Sequence, residues 1–487
     1  MSPQPFDAER YQRLMDGLEC SEVSMRNINL GDRIDSEYFT HNYLHLEAIL
    51  SSTRTVELRQ LGHLVASAFY PAATHLYDIG EIPFIRCVDS VSYPAITHLQ
   101  DDNFERIPEG FIRNNKGVNK LKKNDIVITK VGTPCFSSIV KDYEEVALSR
   151  TVLGVTNIQD ILPEYLLVFL RSKYGFSQLY RVRELTIQYQ LTLDRVGSIK
   201  IFTPSNDFQK AIHAYFEKYL CLIRDSIYQY RQAEEMLLCS LNIGNFTLST
   251  ENTSIKSFSQ VDKSGRIDAE YYHPKYDKLM NQLHVYAGEI ISVKDISTDN
   301  RRGVQPDYIE NGEIAVVNSR NILENGLDYD GFSSTSMELW NLKPEAQIKQ
   351  GDILIYTTGA NVGRAAMYRI NAPALASNHV NILRVNHAHP QYIAFVINSL
   401  IGRMQTERLS TGSAQRELYP KDIDNFIIPL IAETAQAEIE YLLDKSYELR
   451  EQSKYLLKAA TRAVEIAIEQ DESAAMAYLK EQTKGDA

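Results

Sequence analysis

The heptapeptide RIDSEYF at 33–39 returns as RIDAEYY at 266–272, 233 positions later. Behind each copy a longer pattern repeats at a second, constant offset of 227. LKKNDIVITKVGT (121–133) aligns with IKQGDILIYTTGA (348–360), which sets Asp125 on Asp352 and Gly132 on Gly359. PEYLLVFLRSKYG (163–175) aligns with PQYIAFVINSLIG (390–402), and FQKAIHAYFEK (208–218) with AQAEIEYLLDK (435–445). Chance does not hold one offset over segments so far apart. The chain is an internal duplication with a period near 230 residues, far longer than a solenoid repeat. Whatever it folds into has to be built twice.

Each unit reads in the same order. The heptapeptide precedes a short amphipathic helix, HNYLHLEAILSS in one copy and PKYDKLMNQLHVY in the other. Short β-branched runs follow (IPFIRCV, DIVITKV and TVLGVT, then EIAVVNS, DILIYTT and VNILRV), separated by turn residues. One helix is expected inside each β-rich block, at YLLVFLRSKYGFSQLY and at YIAFVINSLIGRMQTERL. A proline, Pro204 or Pro429, closes each block before a long helix begins.

The first long helix carries Phe216, Leu220, Ile223, Ile227, Tyr230, Leu237 and Leu241 at alternating steps of four and three, broken only at Glu234. That is a coiled-coil seam. The second carries Leu442, Ser446, Leu449, Ser453, Leu456, Ala460, Ala463 and Ala467, a stripe rich in small residues that lets two helices approach closely. A rod of roughly 35 residues is about 50 Å long. Either each helix packs on its own β domain, or the two helices pair; pairing better explains why both copies carry one.

The fold class expected is α+β with an internal pseudo-two-fold duplication, two β-rich domains joined by two long antiparallel coiled-coil helices. The boundaries are 1–54 (N-terminal segment with the heptapeptide and short helix), 55–205 (first β-rich domain), 206–245 (central long helix), 246–285 (linker with the second heptapeptide and short helix), 286–430 (second β-rich domain) and 431–487 (C-terminal long helix and tail).

No apolar run approaches the roughly 20 residues that span a bilayer, and the N-terminus lacks a signal-peptide core. Five scattered cysteines form no C-x-x-C pair, which fits a reducing compartment, so a cytoplasmic location is expected. A net charge of −12 argues at first against nucleic acid. The charge is uneven, however: residues 55–205 hold 17 Lys and Arg against 16 Asp and Glu, while the chain ends hold the acidic excess. Local patches decide the matter.

Catalytic constellations are missing. There is no G-x-x-x-x-G-K-[ST], H-E-x-x-H, G-x-S-x-G or G-x-G-x-x-G, and no Asn/Asp-Pro-Pro-aromatic tetrapeptide. His387 and His389 lie at a strand–helix junction without ligand-spaced partners, a loop pair rather than a metal site. Asp125 and Asp352 read as turn carboxylates. Arg33, Asp35 and Glu37, echoed by Arg266, Asp268 and Glu270, read as an interdomain salt-bridged staple rather than an acid–base site. What remains is basic and polar: RNNKGVNKLKK (113–123), RVR (181–183), RR (301–302) and TGSAQR (411–416). Arg, Asn, Gln and Ser read base edges, and Lys and Arg grip phosphates. Any one cluster could be a solvated loop; their recurrence on both domains favours nucleic acid.

Two β-rich domains each followed by a long helix, the strand–loops DIVITKVGT and DILIYTTGANVG, and the exit LSTGSAQRELYPKDIDNFIIPL together resemble the specificity subunit of type I restriction–modification systems. The resemblance covers nearly the whole chain. It implies that each β-rich domain is a target-recognition domain reading one half of a bipartite site in double-stranded DNA, with the antiparallel helices as a spacer of about one and a half turns of B-DNA. It also implies two methyltransferase subunits and restriction subunits as partners. S-adenosylmethionine and ATP/Mg would then be used in those partners, with no cofactor and no catalytic or metal site in this chain. The DNA-contact candidates are Arg113, Lys116, Lys120, Lys123, Arg181, Arg183, Arg301, Arg302, Arg364, Ser413, Gln415 and Arg416. The competing readings are a non-catalytic subunit of a related modification or defence complex, a non-DNA scaffold, and an enzyme with an unrecognised site.

Overall fold

In the computed structural model, two short antiparallel ladders open and close the β-rich regions. Thr55–Glu57 pairs with Lys200–Phe202, Thr55 opposite Phe202. Glu289–Ser292 pairs with Ile427–Leu430, Ile290 opposite Pro429, a two-stranded setting that tolerates a residue with no N–H to give. The structure describes residues 7–28, 33–68, 76, 79–184, 189–244, 246–247, 251–386, 388–412 and 415–484. By packing it divides into two compact units, 1–224 with 450–487, and 225–449. The division falls inside both long helices rather than at their ends, because each half of each helix shares a core with its own β-rich region.

In the first unit, five strands lie in the spatial order His63–Ala66, Val152–Thr156, Ile126–Thr129, Ser137–Val140, Ala95–Ile96. Four more lie in the order Glu105–Ile107, Ile82–Ile85, Glu145–Leu148, Lys120–Lys122. The second unit repeats the arrangement, one strand short in the first sheet, with Ser297–Arg302, Val380–Val385, Ile353–Tyr356, Ala365–Met367 and with Ser333–Thr335, Ile314–Val317, Ala374–Ala376, Gln347–Ile348. Even strand direction is kept. The middle pair of the second sheet is parallel in both units, and its flanking pairs are antiparallel.

The duplication also survives in single hydrogen bonds. Tyr165 Oη donates to Phe202 O at 3.0 Å, and Tyr392 Oη to Pro429 O at 2.7 Å. Gln178 donates to Lys200 O and accepts from Lys200 N at 2.9 and 2.8 Å; Gln405 does the same with Ile427 at 3.0 and 2.7 Å. Asp125 accepts from Lys122 N at 2.8 Å and Asp352 from Lys349 N at 2.7 Å, the turn role expected of both carboxylates. All these side chains are buried or half-buried, where an unpaired polar group is unfavourable.

One expectation changes. The stretch expected to form one helix in each β-rich block forms two, Pro163–Arg171 with Lys173–Arg181 and Pro390–Asn398 with Leu400–Leu409. Ser172 and Ser399 break them. Each sits in extended backbone and caps the following helix, accepting from Gly175 N and Ile401 N respectively, while its Oγ donates to Phe169 O at 2.6 Å or Val396 O at 2.7 Å.

The long helices run Asn206–Ser240 and Glu433–Glu469. In the first unit, Phe216 and Leu220 share a core with Leu456, Ala460, Ala463 and Ala467. In the second, Ala233 and Leu237 share one with Ile439, Leu442 and Leu443, an antiparallel pairing. The seam of the second helix follows the expected positions, with Leu449 only half-buried. In the first helix it runs through Ser226 and Ala233, both fully buried, where sequence favoured Ile227 and met a break at Glu234. Ser226 Oγ donates to Ser446 O at 2.7 Å and Ser446 Oγ to Ser226 O at 2.8 Å, so both hydroxyls are satisfied inside the seam. The tail expected after the second long helix is itself largely helical: Glu472–Lys484 buries Ala475 and Leu479 in the first unit's core. Among the described residues no helix is long and apolar enough to cross a membrane.

Candidate nucleic-acid interface

The repeated heptapeptide is a staple, and it closes within each unit rather than between domains. Arg33 grips Asp35 through Nε and Nη2 at 2.6 and 2.5 Å and donates Nη1 to Arg183 O at 2.7 Å. Arg181 lies over the Tyr38 ring at 4.2 Å and donates to Tyr38 O at 2.7 Å. In the second unit Arg266 grips Asp268 at 2.6 and 3.0 Å and reaches Leu409 O at 3.3 Å, while Arg408 lies 4.8 Å over Tyr271. The heptapeptide thus docks onto the end of the second internal helix in both copies. Hydrogen bonds from Arg33 and Arg266 hold the Asp35 and Asp268 carboxyls below their usual range. A carboxylate depressed by folding gives stability that is full above its unfolded pKa of about 3.9 and is lost as pH falls through its folded value. Hydrogen exchange of 33–39 and 266–272 is therefore expected to stay slow at neutral pH and to rise below about pH 4, in both copies together. Exchange independent of pH after correction for the intrinsic rate would contradict the staple.

Several sequence candidates are consumed by such pairs. Arg183 is 3% exposed, reaches Glu37 at 3.1 Å and donates to Tyr180 O at 2.7 Å; Arg181 also holds Glu47 at 2.8 Å. Arg301 is ion-paired with Asp299 and donates to Glu345 O. Arg302 donates to Glu417 and Leu418 O at 2.7 and 2.9 Å. The guanidinium groups of these four arginines are each engaged within their own unit. In the basic run, Lys120 pairs with Glu145 on the neighbouring strand and Arg113 with Glu109 at 2.7 Å on its own helix turn. Lys116 and Lys123 are exposed. The run lies beside strand His63–Ala66, with Gly117 O accepting from Ala68 N at 3.0 Å, and the structure does not bring it to Arg181 or Arg183.

A second cluster does converge. In the second unit the loop 357–364, the turn 377–379 and the residues 411–412 and 415–417 are tied together. Gly359 N donates to Arg416 O at 2.9 Å, Thr357 N to His379 O at 3.1 Å, and Thr411 and Glu417 exchange backbone bonds at 2.8 and 2.7 Å. Gly359 and Gly363 take φ of +123° and +89°, which glycine adopts without strain. The same three segments meet in the first unit. Lys130 N donates to Thr151 O at 2.8 Å, Leu191 N to Lys130 O at 3.1 Å, and Glu184 N to Gln190 O at 2.8 Å.

In the second unit this face exposes Gln415, Arg416, Asn361 and His379 and half-exposes Arg364, whose side chain has no hydrogen bond or ion pair among the described residues. Ser413 lies outside the described residues. Arg416 is 3.8 Å from the Glu270 carboxylate, and Glu417 is spent on Tyr419 Oη at 2.6 Å and on Arg302, which lowers its pKa. Guanidinium, amide and imidazole groups remain outward, the set that meets base edges and phosphates. Sequence reasoning missed Asn361 and His379. Neither stands in a basic run, and only the pairing of Ile353–Tyr356 with Val380–Val385 brings them together.

Among the described residues one group of carboxylates and imidazole is close enough to share a cation: Glu164, His213 and Glu217. Lys141 Nζ already lies 2.5 Å from Glu164 and 2.7 Å from Glu217. Burial alone would raise the Glu164 carboxyl, but the Lys141 ammonium outweighs it and holds the pKa down. The group is an ion-paired cluster centred on the buried Glu164 and Lys141. His389 Nδ1 sits 2.7 Å from Glu440, and His387 lies outside the described residues.

Residues 288–458 match the family described as type I restriction modification DNA specificity domain. That part of the chain is similar to a type I restriction–modification specificity domain. Its span covers the second β-rich region from its opening strand, Glu289–Ser292, to the middle of the second long helix. No protein of curated function matches the sequence. Among solved structures, the chain is similar to the S subunit of a type I restriction–modification system from M. genitalium (12% identity over 85% of this chain and 95% of that one, TM-score 0.41). It is also similar to the HsdS subunit from Thermoanaerobacter tengcongensis (13% identity, 86% and 97%, TM-score 0.28).

Proposed function

We propose that the chain is the DNA-recognition subunit of a type I restriction–modification complex, reading a bipartite, asymmetric target with one β-rich region per half-site. The observation that carries this is the specificity domain at 288–458 together with its twin. The first β-rich region lies outside that match, yet apart from the extra strand Ala95–Ile96 it has the same strand order, the same parallel pair in the second sheet and the same Tyr, Gln and Asp hydrogen bonds. One reader thus implies two. Their converging loops differ in sequence, TKVGTPCF against YTTGANVG and ELTIQYQ against TGSAQRE, so the halves they read differ.

In this reading Arg364, Gln415 and Arg416, joined by Asn361 and His379, contact DNA in the second half-site. Lys116 and Lys123, two of the exposed lysines of the 113–123 run, grip phosphate for the first. Methyl transfer from S-adenosylmethionine and ATP-driven cleavage belong to partner methyltransferase and restriction subunits, and this chain supplies only the address. The test is methylation-sensitive sequencing of host DNA with the gene, without it, and with Arg364→Ala/Arg416→Ala. A bipartite motif methylated only when the gene is present is expected. Two lost contacts at about 1–3 kcal/mol each should thin its methylation strongly. Unchanged methylation on deleting the gene would end the proposal.

A further inference from the structure

The two units contain equivalent cavities, and in only one of them is the lining arginine hydrogen-bonded to a carboxylate among the described residues. In the first unit Tyr38, Tyr43, Leu46, Gln178 and Arg181 line a cavity of about 160 Å³. The equivalent Tyr271, Tyr276, Leu279, Gln405 and Arg408 line one of about 350 Å³ in the second. Both lie where the heptapeptide and its short helix meet the second internal helix. All five residue types are kept, so the duplication has preserved the walls.

The arginine differs in what it holds. Arg181 donates Nε to Tyr38 O at 2.7 Å and Nη1 to the Glu47 carboxylate at 2.8 Å. The position equivalent to Glu47 is Met280, which lines the second cavity. Arg408 has a carboxylate only at 3.6 Å, from Asp277, which also pairs with Lys256. Its Nε is buried without a hydrogen-bond partner among the described residues. The Arg408 guanidinium is stacked on Tyr271 at 4.8 Å and therefore fixed in place. A fixed, half-buried guanidinium beside apolar walls is a recognition site for a carboxylate.

We propose that the second cavity receives a glutamate side chain from a partner protein, which supplies to Arg408 what Glu47 supplies to Arg181. The first unit shows the fit: a carboxylate on a short apolar stem reaches the guanidinium there from one helix turn. In the second unit the stem would lie against Leu279, Met280 and Met404 and the carboxylate on Arg408. The site is distinct from the converging loops, and its occupancy does not depend on DNA recognition.

The test is thermal unfolding of the full chain with N-acetylglutamate amide, against N-acetylglutamine amide as the neutral isostere. A saturable rise in the melting temperature of about 2 °C is expected with the glutamate probe and none with the glutamine probe. Met280→Glu, which places a carboxylate in the cavity from within, should abolish the response, and so should Arg408→Gln. Glu47→Met should add a second binding event by freeing Arg181 of its carboxylate. Equal shifts with both probes, no shift in the unaltered chain, or a shift retained in Met280→Glu would overturn the proposal. Binding of the glutamate probe by a chain that directs no methylation would leave this site standing and end the DNA-recognition reading instead.

Discussion

Replacing residues 55–205 with the equivalent segment of a related chain is expected to change one half of the methylated sequence and leave the other half as it was. The structure shows why such an exchange can fold. The segment starts and stops across one ladder, with Thr55 opposite Phe202 and Thr203 N donating to Arg54 O at 3.0 Å, so both cut points lie side by side. The face it must present to the long helices is the inner side of Pro163–Arg171, where Tyr165, Leu166 and Phe169 share the core with Phe208, Ile212 and Phe216. A segment that keeps those apolar positions keeps the packing, and its converging loops come with it. Each mismatched base pair costs about 1–3 kcal/mol, so a half-site altered at two positions should lose roughly 100-fold or more in affinity. Sequencing of methylated DNA before and after the exchange reads the result directly. If both halves change, the two regions do not read independently.

The parts of this molecule that were legible in sequence are those where a residue type and its spacing carry the physics. The 227-residue offset showed the duplication, and the structure repeats it down to Gln178 and Gln405 each closing on one backbone residue. The second helix's stripe of Leu, Ser and Ala was readable because small residues at steps of three and four are what a close helix pair requires. The first helix misled at Ile227, since apolar character outweighs a serine when only the sequence is seen. A seam that brings two backbones together prefers Ser226, whose hydroxyl is satisfied by Ser446. The site was less legible for a related reason. Arg181, Arg183 and Arg302 show positive charge locally, but the carboxylates that absorb it, Glu47, Glu37 and Glu417, stand more than a hundred positions away. Asn361 and His379 are the converse, unremarkable in sequence and neighbours only once the sheet forms.

The break between the internal helices, which the sequence pattern does not reveal, carries the largest stability effect expected here. Gly402→Ala should lower the melting temperature of the chain by about 10 °C, and Gly175→Ala should do the same for the first unit. After Ser399 the second helix turns back across the end of the first, and Gly402 is where they touch. A Cβ built there would stand 2.1 Å from Ile397 O and 2.4 Å from its Cα; at Gly175 it would stand 2.2 Å from Phe169 O. The obstacles are backbone atoms in buried helices, so no rotamer change relieves the clash and the helices must move apart. Ile393, Phe395 and Ile397 on one helix and Ile401 and Met404 on the other belong to one core, and separating them exposes it. Overpacking of this kind costs about 3 kcal/mol, and for a unit of some 200 residues each kcal/mol shifts the midpoint by roughly 2–4 °C. Ser399→Ala is the control, since losing a helix cap costs only about 1 kcal/mol and introduces no clash. If calorimetry found Gly402→Ala no more damaging than Ser399→Ala, the close approach of the two helices would not be what holds this corner of the domain together.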